Sequence, residues 1–286
     1  VGAYHGNTPL VSELSPEFAR KRPPPDFVVD VEPPDAYRGR FATDDPDFAG
    51  KYADLVDAAV DELAERGHRP AMMIIDSIYD AAGVHTPPAA YQQRVHDKVR
   101  AAGGLVVCDE VQSGLTRLGD HYWGFMDSGV VPDIVTMGKP MGAGHPLAAV
   151  VTTPEIAAAF ARETHSFNSF GGNPVSAAAG KAVLEVVERE NLLANVRRSG
   201  ERLIDGLHEL ATRHALIGDV RGKGLFVAVE LIDDRETKRP ARSAAAAVVE
   251  SMRGQGVLTA LIGRDRNTLK FRPPLVFEEK HADIAL

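Results

Sequence analysis

Cysteine is nearly missing from this sequence: Cys108 is the only one in 286 residues. An intramolecular disulfide is impossible and a cysteine-rich zinc site is excluded. No apolar run approaches the roughly 18–20 residues a membrane-spanning helix needs. Positive charge is also in deficit, with 32 Lys and Arg against 40 Asp and Glu and a net charge of -8. Nothing global therefore draws in nucleic acid or an anionic membrane, and neither is expected as a partner. The chain opens on Val1 without a basic n-region or an apolar h-region. It closes on Ala282-Asp283-Ile284-Ala285-Leu286, which reads as the start of a helix. The expectation is a piece of a longer protein, cut at both ends. What is present is 44% hydrophobic and 25% charged, close to the globular average. The length suits about two domains of a cytoplasmic enzyme or binding protein.

The first 50 residues read as irregular. Lys21-Arg22-Pro23-Pro24-Pro25 and Glu32-Pro33-Pro34 cannot be helix interior, because each proline removes a donor and clashes with the preceding turn. They form a long surface excursion or a disordered linker. From 47 to 66, Leu55, Val56, Ala59, Val60 and Leu63 recur at helical spacing. Apolar runs at 71–75, 105–108, 134–137 and 147–151 lack alternation, so they read as strands buried on both faces. A helix opened by Pro87-Pro88 runs to about Ala102 and stops at Gly103-Gly104. Strands alternating with helices imply an α/β fold with a mostly parallel sheet. After Pro174 come helices at 175–191 and 195–214, a strand at 225–229, a helix at 241–255, and short strands near 257–261 and 269–271. That order suits a smaller C-terminal α+β domain, giving domains 1–190 and 191–286.

Asp109 ends one buried run and Lys139 follows another. In open parallel sheets, ligands bind at the carboxyl ends of strands. An acid and a lysine on one rim are a candidate pair, with an ordinary salt bridge as the plain alternative. Lys139 lies in Gly138-Lys139-Pro140-Met141-Gly142-Ala143-Gly144-His145-Pro146, whose glycines let backbone approach a ligand. A lysine that forms Schiff bases reacts as the neutral amine, which desolvation favours. His145 reads as a structural histidine. A phosphate loop is rejected, because Gly138-Lys139 is followed by Pro140 and 218–224 has the wrong spacing. There is no Gly-x-Ser-x-Gly elbow, no His-Glu-x-x-His metal motif and no Rossmann glycine pattern. Ser166-Phe167-Asn168-Ser169-Phe170-Gly171-Gly172-Asn173-Pro174 is either a phosphate cradle or a helix N-cap with a glycine hinge.

Taken together, Asp109-Glu110-Val111-Gln112-Ser113-Gly114-Leu115-Thr116-Arg117-Leu118-Gly119, then 132–139, then Phe170-Gly171-Gly172-Asn173-Pro174, resemble the class III aminotransferases. These are pyridoxal 5'-phosphate enzymes of fold type I. Tyr4-His5-Gly6 matches the family's Tyr/Trp-His-Gly motif. The resemblance implies that Lys139 holds the cofactor as a Schiff base and shuttles the α-proton. Asp109 pairs with the pyridine nitrogen and keeps the ring an electron sink. Gln112 reaches the ring's 3-oxygen. Tyr4 and Val111 cover the two ring faces, and His5 belongs to the same cofactor-binding motif. Ser169 stands where the family usually has Thr, whose hydroxyl reaches the cofactor phosphate of the neighbouring subunit, so a homodimer or higher assembly is implied. The substrates implied are an amine or amino acid and a keto acid.

This sequence departs from the family at several points. The family's large domain begins well before the Tyr-His-Gly motif, with a phosphate-binding Gly-Ser turn that has no counterpart here. Where many members read Glu-Pro-Ile-Gln-Gly-Glu-Gly-Gly, this chain has Asp76-Ser77-Ile78-Tyr79-Asp80-Ala81-Ala82-Gly83. Ala81 replaces the second Glu. Lys270 stands where an Arg often clamps a carboxylate, and Arg272 lies one pleat further on the same face. These features resemble the alanine–glyoxylate aminotransferase 2-like branch, which includes phospholyases. The leading expectation is an aminotransferase. The alternatives are a lyase releasing phosphate and ammonia, with Lys270 and Arg272 meeting the substrate's phosphate, or an inactive fragment or non-catalytic relative.

Overall fold

The computed structural model describes residues 3–16, 23–42 and 44–286. Lys21 and Arg22 of the first Pro-rich stretch lie outside them. A short helix, α1 (Pro9–Glu13), opens the chain within a region that sequence reads as irregular. Pro9 starts it, since its missing N–H is not needed in a first turn. The segment from Pro23 onward is anchored: Val28 and Val31 are buried, and the Tyr52 hydroxyl donates to the Asp35 carbonyl at 3.0 Å.

The first sheet follows. β1 (Met72–Asp76), β2 (Leu105–Asp109) and β3 (Ile134–Met137) run parallel, and β4 (Ala149–Thr152) closes the order antiparallel to β3. Helices α2 (Phe48–Glu65) and α3 (Ala89–Ala101) pack on it through Tyr52, Val56, Tyr91, Val95 and Val99. The Pro87-Pro88 start and the stop before Gly103 fall where the sequence places them. β4 differs from expectation. Its Val150 and Val151 are 66% and 55% exposed, because only β3 pairs with it and no helix covers it. Helix α4 (Pro154–Glu163), unanticipated from sequence, is capped by the Thr153 hydroxyl and has no buried residue.

Helix α5 (Pro174–Arg189) leads through Asn191, in the left-handed region at φ 48, into α6 (Leu192–Arg213). Leu192, Val196, Gly200, Leu203 and Leu207 line one buried stripe of α6, the spacing of an amphipathic helix. A Cβ on Gly200 would lie 2.3 Å from the Gly224 carbonyl, so only glycine lets the helix approach that turn. The second sheet has the order β5 (Ile217–Lys223), β6 (Phe226–Asp234), β9 (Thr268–Phe271), β8 (Ala260–Ile262), all antiparallel. A two-residue β7 (Arg239–Pro240) adds to β6. Helices α6, α7 (Arg242–Gly254) and α8 (Glu279–Ala285) bury Leu203, Val229, Ala245, Leu269 and Ala282 against it.

β6 is buried from Phe226 to Ile232 because it packs on both sides. Its Phe226 and Ala228 meet Ile78, Val84 and Leu118 of the first half. A buried charge network crosses the same seam. Glu230, 2% exposed, accepts from Arg38 Nε and, at 2.8 Å, from Arg221 Nη1. Arg221 also donates to the carbonyls of Gly83 and Val84 at 2.7–3.0 Å. Among the described residues, no helix is long and apolar enough to cross a membrane.

Candidate active site

Parallel pairing sets the site. β1 and β2 align Asp76 with Asp109, and β2 and β3 align Asp109 with Thr136. The Glu110 N–H continues the ladder by donating to the Thr136 carbonyl at 2.9 Å. The residues leaving these strands therefore emerge on one rim, with Gly138 and Lys139 next to the segment after Asp109. The Val111 methyls lie 3.5 Å from where a Cβ of Gly138 would stand. Val111 thus abuts the residue before Lys139.

Asp109 is 6% exposed and well held. Its Oδ1 accepts the Val111 N–H at 3.0 Å, and its Oδ2 accepts from His5 Nδ1 at 2.7 Å. A carboxylate only accepts, so the His5 proton is assigned to Nδ1. Burial holds His5 below its usual pKa, against the opposing hydrogen bond to Asp109, so the ring is neutral at pH 7. Its Nε2 is then a buried acceptor without a partner. Half-buried Tyr4 precedes it. The neighbouring Glu110 has a different job. Its carboxylate accepts from the Ser77 and Ser113 hydroxyls and from the Gly124 and Phe125 N–H groups at 2.6–2.9 Å, which makes it a structural staple.

Asp80 was visible in the sequence only as part of a departing segment, yet it organises this rim. Its Oδ2 accepts from Gln112 Nε2 at 2.9 Å, and both its oxygens accept from Lys270 Nζ, at 2.8 and 3.1 Å. Gln112 Oε1 is buried and unpartnered. Lys270, expected from the sequence to meet substrate, is paired in this structure. β9 presents Lys270 toward the seam, near Phe226, and its ammonium is committed to Asp80. Arg272 is exposed and makes no hydrogen bond or ion pair with the described residues. Beside it, Arg117 donates to the carbonyls of Leu225 and Pro273. Burial and the charge of Arg272 push Arg117 down to about 10.

Lys139, in the loop after β3, is exposed in this chain. The glycines of that loop serve its own folding as much as any ligand: a Cβ on Gly142 would lie 2.1 Å from the His145 carbonyl. His145 is structural, as expected, with Nε2 2.8 Å from the Ser176 hydroxyl. Ser169 is exposed, in the bend before α5, and Asn173 caps that helix by accepting the Ser176 N–H at 2.9 Å. Neither Ser169 nor Arg272 touches the Asp109 cluster among the described residues.

The family Aminotransferase class-III matches residues 1–286. The chain belongs to the class III aminotransferases. It is 42% identical over 290 residues to a Drosophila melanogaster protein named alanine–glyoxylate aminotransferase 2-like, covering 98% of this chain and 58% of that one. It is 39% identical over 294 residues to a Caenorhabditis elegans protein named ethanolamine-phosphate phospho-lyase homolog 1, covering 98% and 63%. A solved phospholyase from Arthrobacter, in complex with phosphoethanolamine, shares 41% identity at a TM-score of 0.94, covering 99% of this chain and 67% of that one. The chain thus spans about 58–63% of the length of these two curated relatives. The architecture is the family's α/β fold type I.

Pyridoxal phosphate is the cofactor of this family. The residues present fit it. A buried carboxylate oriented by His5 suits a protonated ring nitrogen, and Lys139 lies on the same rim. Among the described residues, no group of three or more His, Cys, Asp or Glu is placed to hold a metal ion.

Asp76 gives the site a pH signature. Among the described residues, its oxygens accept only the Ile78 and Asp80 N–H groups, at 3.1 and 2.7 Å. Burial first, then Asp80 and Asp109, push it up to about 7. An acid raised on folding stabilises the protein below its unfolded pKa near 4, and that stability is lost as pH rises through about 7. Urea unfolding from pH 4 to 8 is expected to show the wild type losing stability relative to Asp76→Asn between pH 4 and 7, by up to about 4 kcal/mol, then running level. Curves parallel throughout that range would contradict the assignment.

Proposed function

We propose that this chain is the lysine-bearing part of a pyridoxal-phosphate-dependent aminotransferase that moves an amino group from an amine or amino acid to a keto acid. The observation that supports it best is the buried Asp109 carboxylate, locked by His5 on the rim that carries Lys139. When bound, the cofactor supplies an electron sink for the substrate's α-carbon. The chain's residues would do the rest. Lys139 Nζ would hold the cofactor and move the proton at the substrate's α-carbon. Asp109 would pair with the ring nitrogen, with His5 fixing the carboxylate's orientation. Val111 and Tyr4 would confine the ring, and Gln112, turned by Asp80, would keep one N–H free for it.

Ser169 serves the phosphate of a partner's site, so the working unit is a homodimer at least. Val150, Val151, Phe167, Phe170 and Val175, each 55–83% exposed, crowd the segments around Lys139 and Ser169. Covering them with a second copy removes apolar surface from water and excludes water from Lys139. The single cysteine, buried and free, suits a reducing compartment, and we place the enzyme in the cytoplasm.

One observation favours a second reading. Asp80 neutralises Lys270, which leaves a weaker clamp for a keto-acid acceptor, and a lyase needs no acceptor. The relatives named as phospholyases make elimination of phosphate and ammonia from a phosphoamine that reading's chemistry.

Three outcomes test these proposals. Borohydride reduction with pyridoxal phosphate is expected to label Lys139, and Lys139→Ala to abolish the label by peptide mass; label on another lysine sinks the assignment. Sedimentation of the active protein is expected to report a dimer or larger, and a fully active monomer would contradict the role of Ser169. Incubation with phosphoethanolamine and no keto acid is expected to release no phosphate. Joint release of phosphate and ammonia would replace the transaminase reading with the lyase.

A further inference from the structure

A cavity of about 190 Å³ lies between α3, the end of β2 and the short 3-10 helix Gly124–Ser128. Ser77 and Ile78, which follow Asp76, and Cys108, which precedes Asp109, form part of its wall. Successive strand residues face opposite sides of a sheet. Cys108 packs with Tyr91, Val95 and Val99 of α3, so the cavity sits on that side, away from the Asp109 carboxylate. Thr86 and Ala89 also line it, and both are exposed, which places its mouth at the start of α3.

His96 decides what this cavity asks for. It forms part of the wall, it is 1% exposed, and neither ring nitrogen has a partner among the described residues. Burial, then the charge of Arg100, pushes its pKa down to about 4. The ring is therefore neutral at pH 7 and offers one donor and one acceptor. Asp127 adds an unmet acceptor. Its Oδ2 takes Lys223 Nζ at 2.7 Å, but its Oδ1 is buried and makes no hydrogen bond among the described residues. The other polar groups nearby are spent: the Ser77 hydroxyl on Glu110, the Ser128 hydroxyl on the Phe125 carbonyl, and Gln92 Nε2 on the Tyr79 hydroxyl. Buried polar atoms in folded proteins are hydrogen-bonded with few exceptions. Three orphans on one cavity call for an occupant that bonds them.

The wall also fixes the occupant's charge and size. Its charged side chains, Asp127 and Lys223, pair with each other, and burial raises the Cys108 thiol so that it stays protonated. A charged guest would lose its hydration against no counter-charge, so the guest is neutral. Ile78, Leu118, Phe125 and Val130 make the rest of the wall apolar. Water needs two to four polar partners and is poorly served along that stretch. An apolar cavity of about 150 Å³ admits a benzene-sized ring, so this one has room for a ring and one substituent. A hydroxyl both donates and accepts, so it serves the neutral imidazole in either tautomer and can donate to Asp127 Oδ1.

We propose that this cavity is a binding site for a small uncharged aromatic alcohol of the phenol class, with its hydroxyl on His96 and Asp127 and its ring against Phe125 and the aliphatic wall. The site is separate from the Asp109 rim and does not depend on the aminotransferase reading. Its occupant braces the segments that carry Asp76 and Asp109 from behind, and so stabilises the folded chain in proportion to its occupancy.

The test needs neither cofactor nor turnover. The 286-residue chain is titrated calorimetrically with phenol, with toluene, which carries a methyl in place of the hydroxyl, and with glycerol. Phenol is expected to bind saturably with a Kd of about 0.1–1 mM and to raise the melting temperature as its concentration rises. Toluene is expected to bind at least about fivefold more weakly, because it leaves the orphaned atoms unmet. His96→Phe is expected to erase the preference for phenol over toluene, and His96→Gln, which keeps a donor and an acceptor, to retain it. Ala89→Trp, at the exposed mouth, is expected to block both ligands. Circular dichroism checks that each variant is folded. No saturable binding of phenol at millimolar concentration, toluene as tight as phenol, an unchanged phenol-to-toluene ratio in His96→Phe, or unchanged phenol affinity in Ala89→Trp overturns the proposal. Tighter binding of glycerol than of phenol overturns it too, as does a crystal soaked in phenol that shows water alone in the cavity. Because Asp109 and Lys139 take no part in the measurement, a failure here leaves the aminotransferase reading standing, and a failure to label Lys139 leaves this one.

Discussion

Negative charge taken out of water must be answered, and this site answers it three ways within one turn and two strand ends. Asp109 is met by a neutral histidine and a backbone N–H. Asp80 is met by a lysine from the second sheet. Asp76 has only backbone donors, and a proton supplies what they do not. Three carboxylates so close cannot all stay ionised unless cations come to them. The cation that comes is Lys270, and its arrival ties β9 to the segment after β1. The cofactor-facing chemistry therefore depends on a contact made by the other half of the molecule.

The same requirement sets apart two cations near the end of β9. Lys270 is anchored by Asp80, while Arg272, just past the strand, is exposed and makes no hydrogen bond or ion pair with the described residues.

Much of this was legible in the chain. Uninterrupted apolar runs gave β1, β2 and β3, and Pro87-Pro88 and Pro174 marked helix starts correctly. His5 and Val111 meet at Asp109, while Gln112 bonds Asp80 instead. The run at 147–151 misled, because an apolar strand looks the same whether its faces are covered or bare, and β4 is bare. Asp80 and Lys270 are 190 positions apart, and no periodicity links such a pair. Arg117 lies in a motif whose neighbours drew attention to the acid. The glycines around Lys139 read as letting backbone approach a ligand, but how exposed the lysine is depends on what packs above the loop, which local sequence does not encode.

The Glu230 network carries a mechanical consequence. Arg38 comes from the Pro-rich stretch and Arg221 from β5, both donating to one buried carboxylate, and Arg221 reaches on to the carbonyls of Gly83 and Val84 in the loop beyond β1. Prising the halves apart would strand several ions away from water at once, at roughly 3–5 kcal/mol for each pair broken one-sidedly. A clamshell motion between the two sheets therefore works against these buried ion pairs, so the seam that Glu230 holds acts as a rivet rather than a hinge.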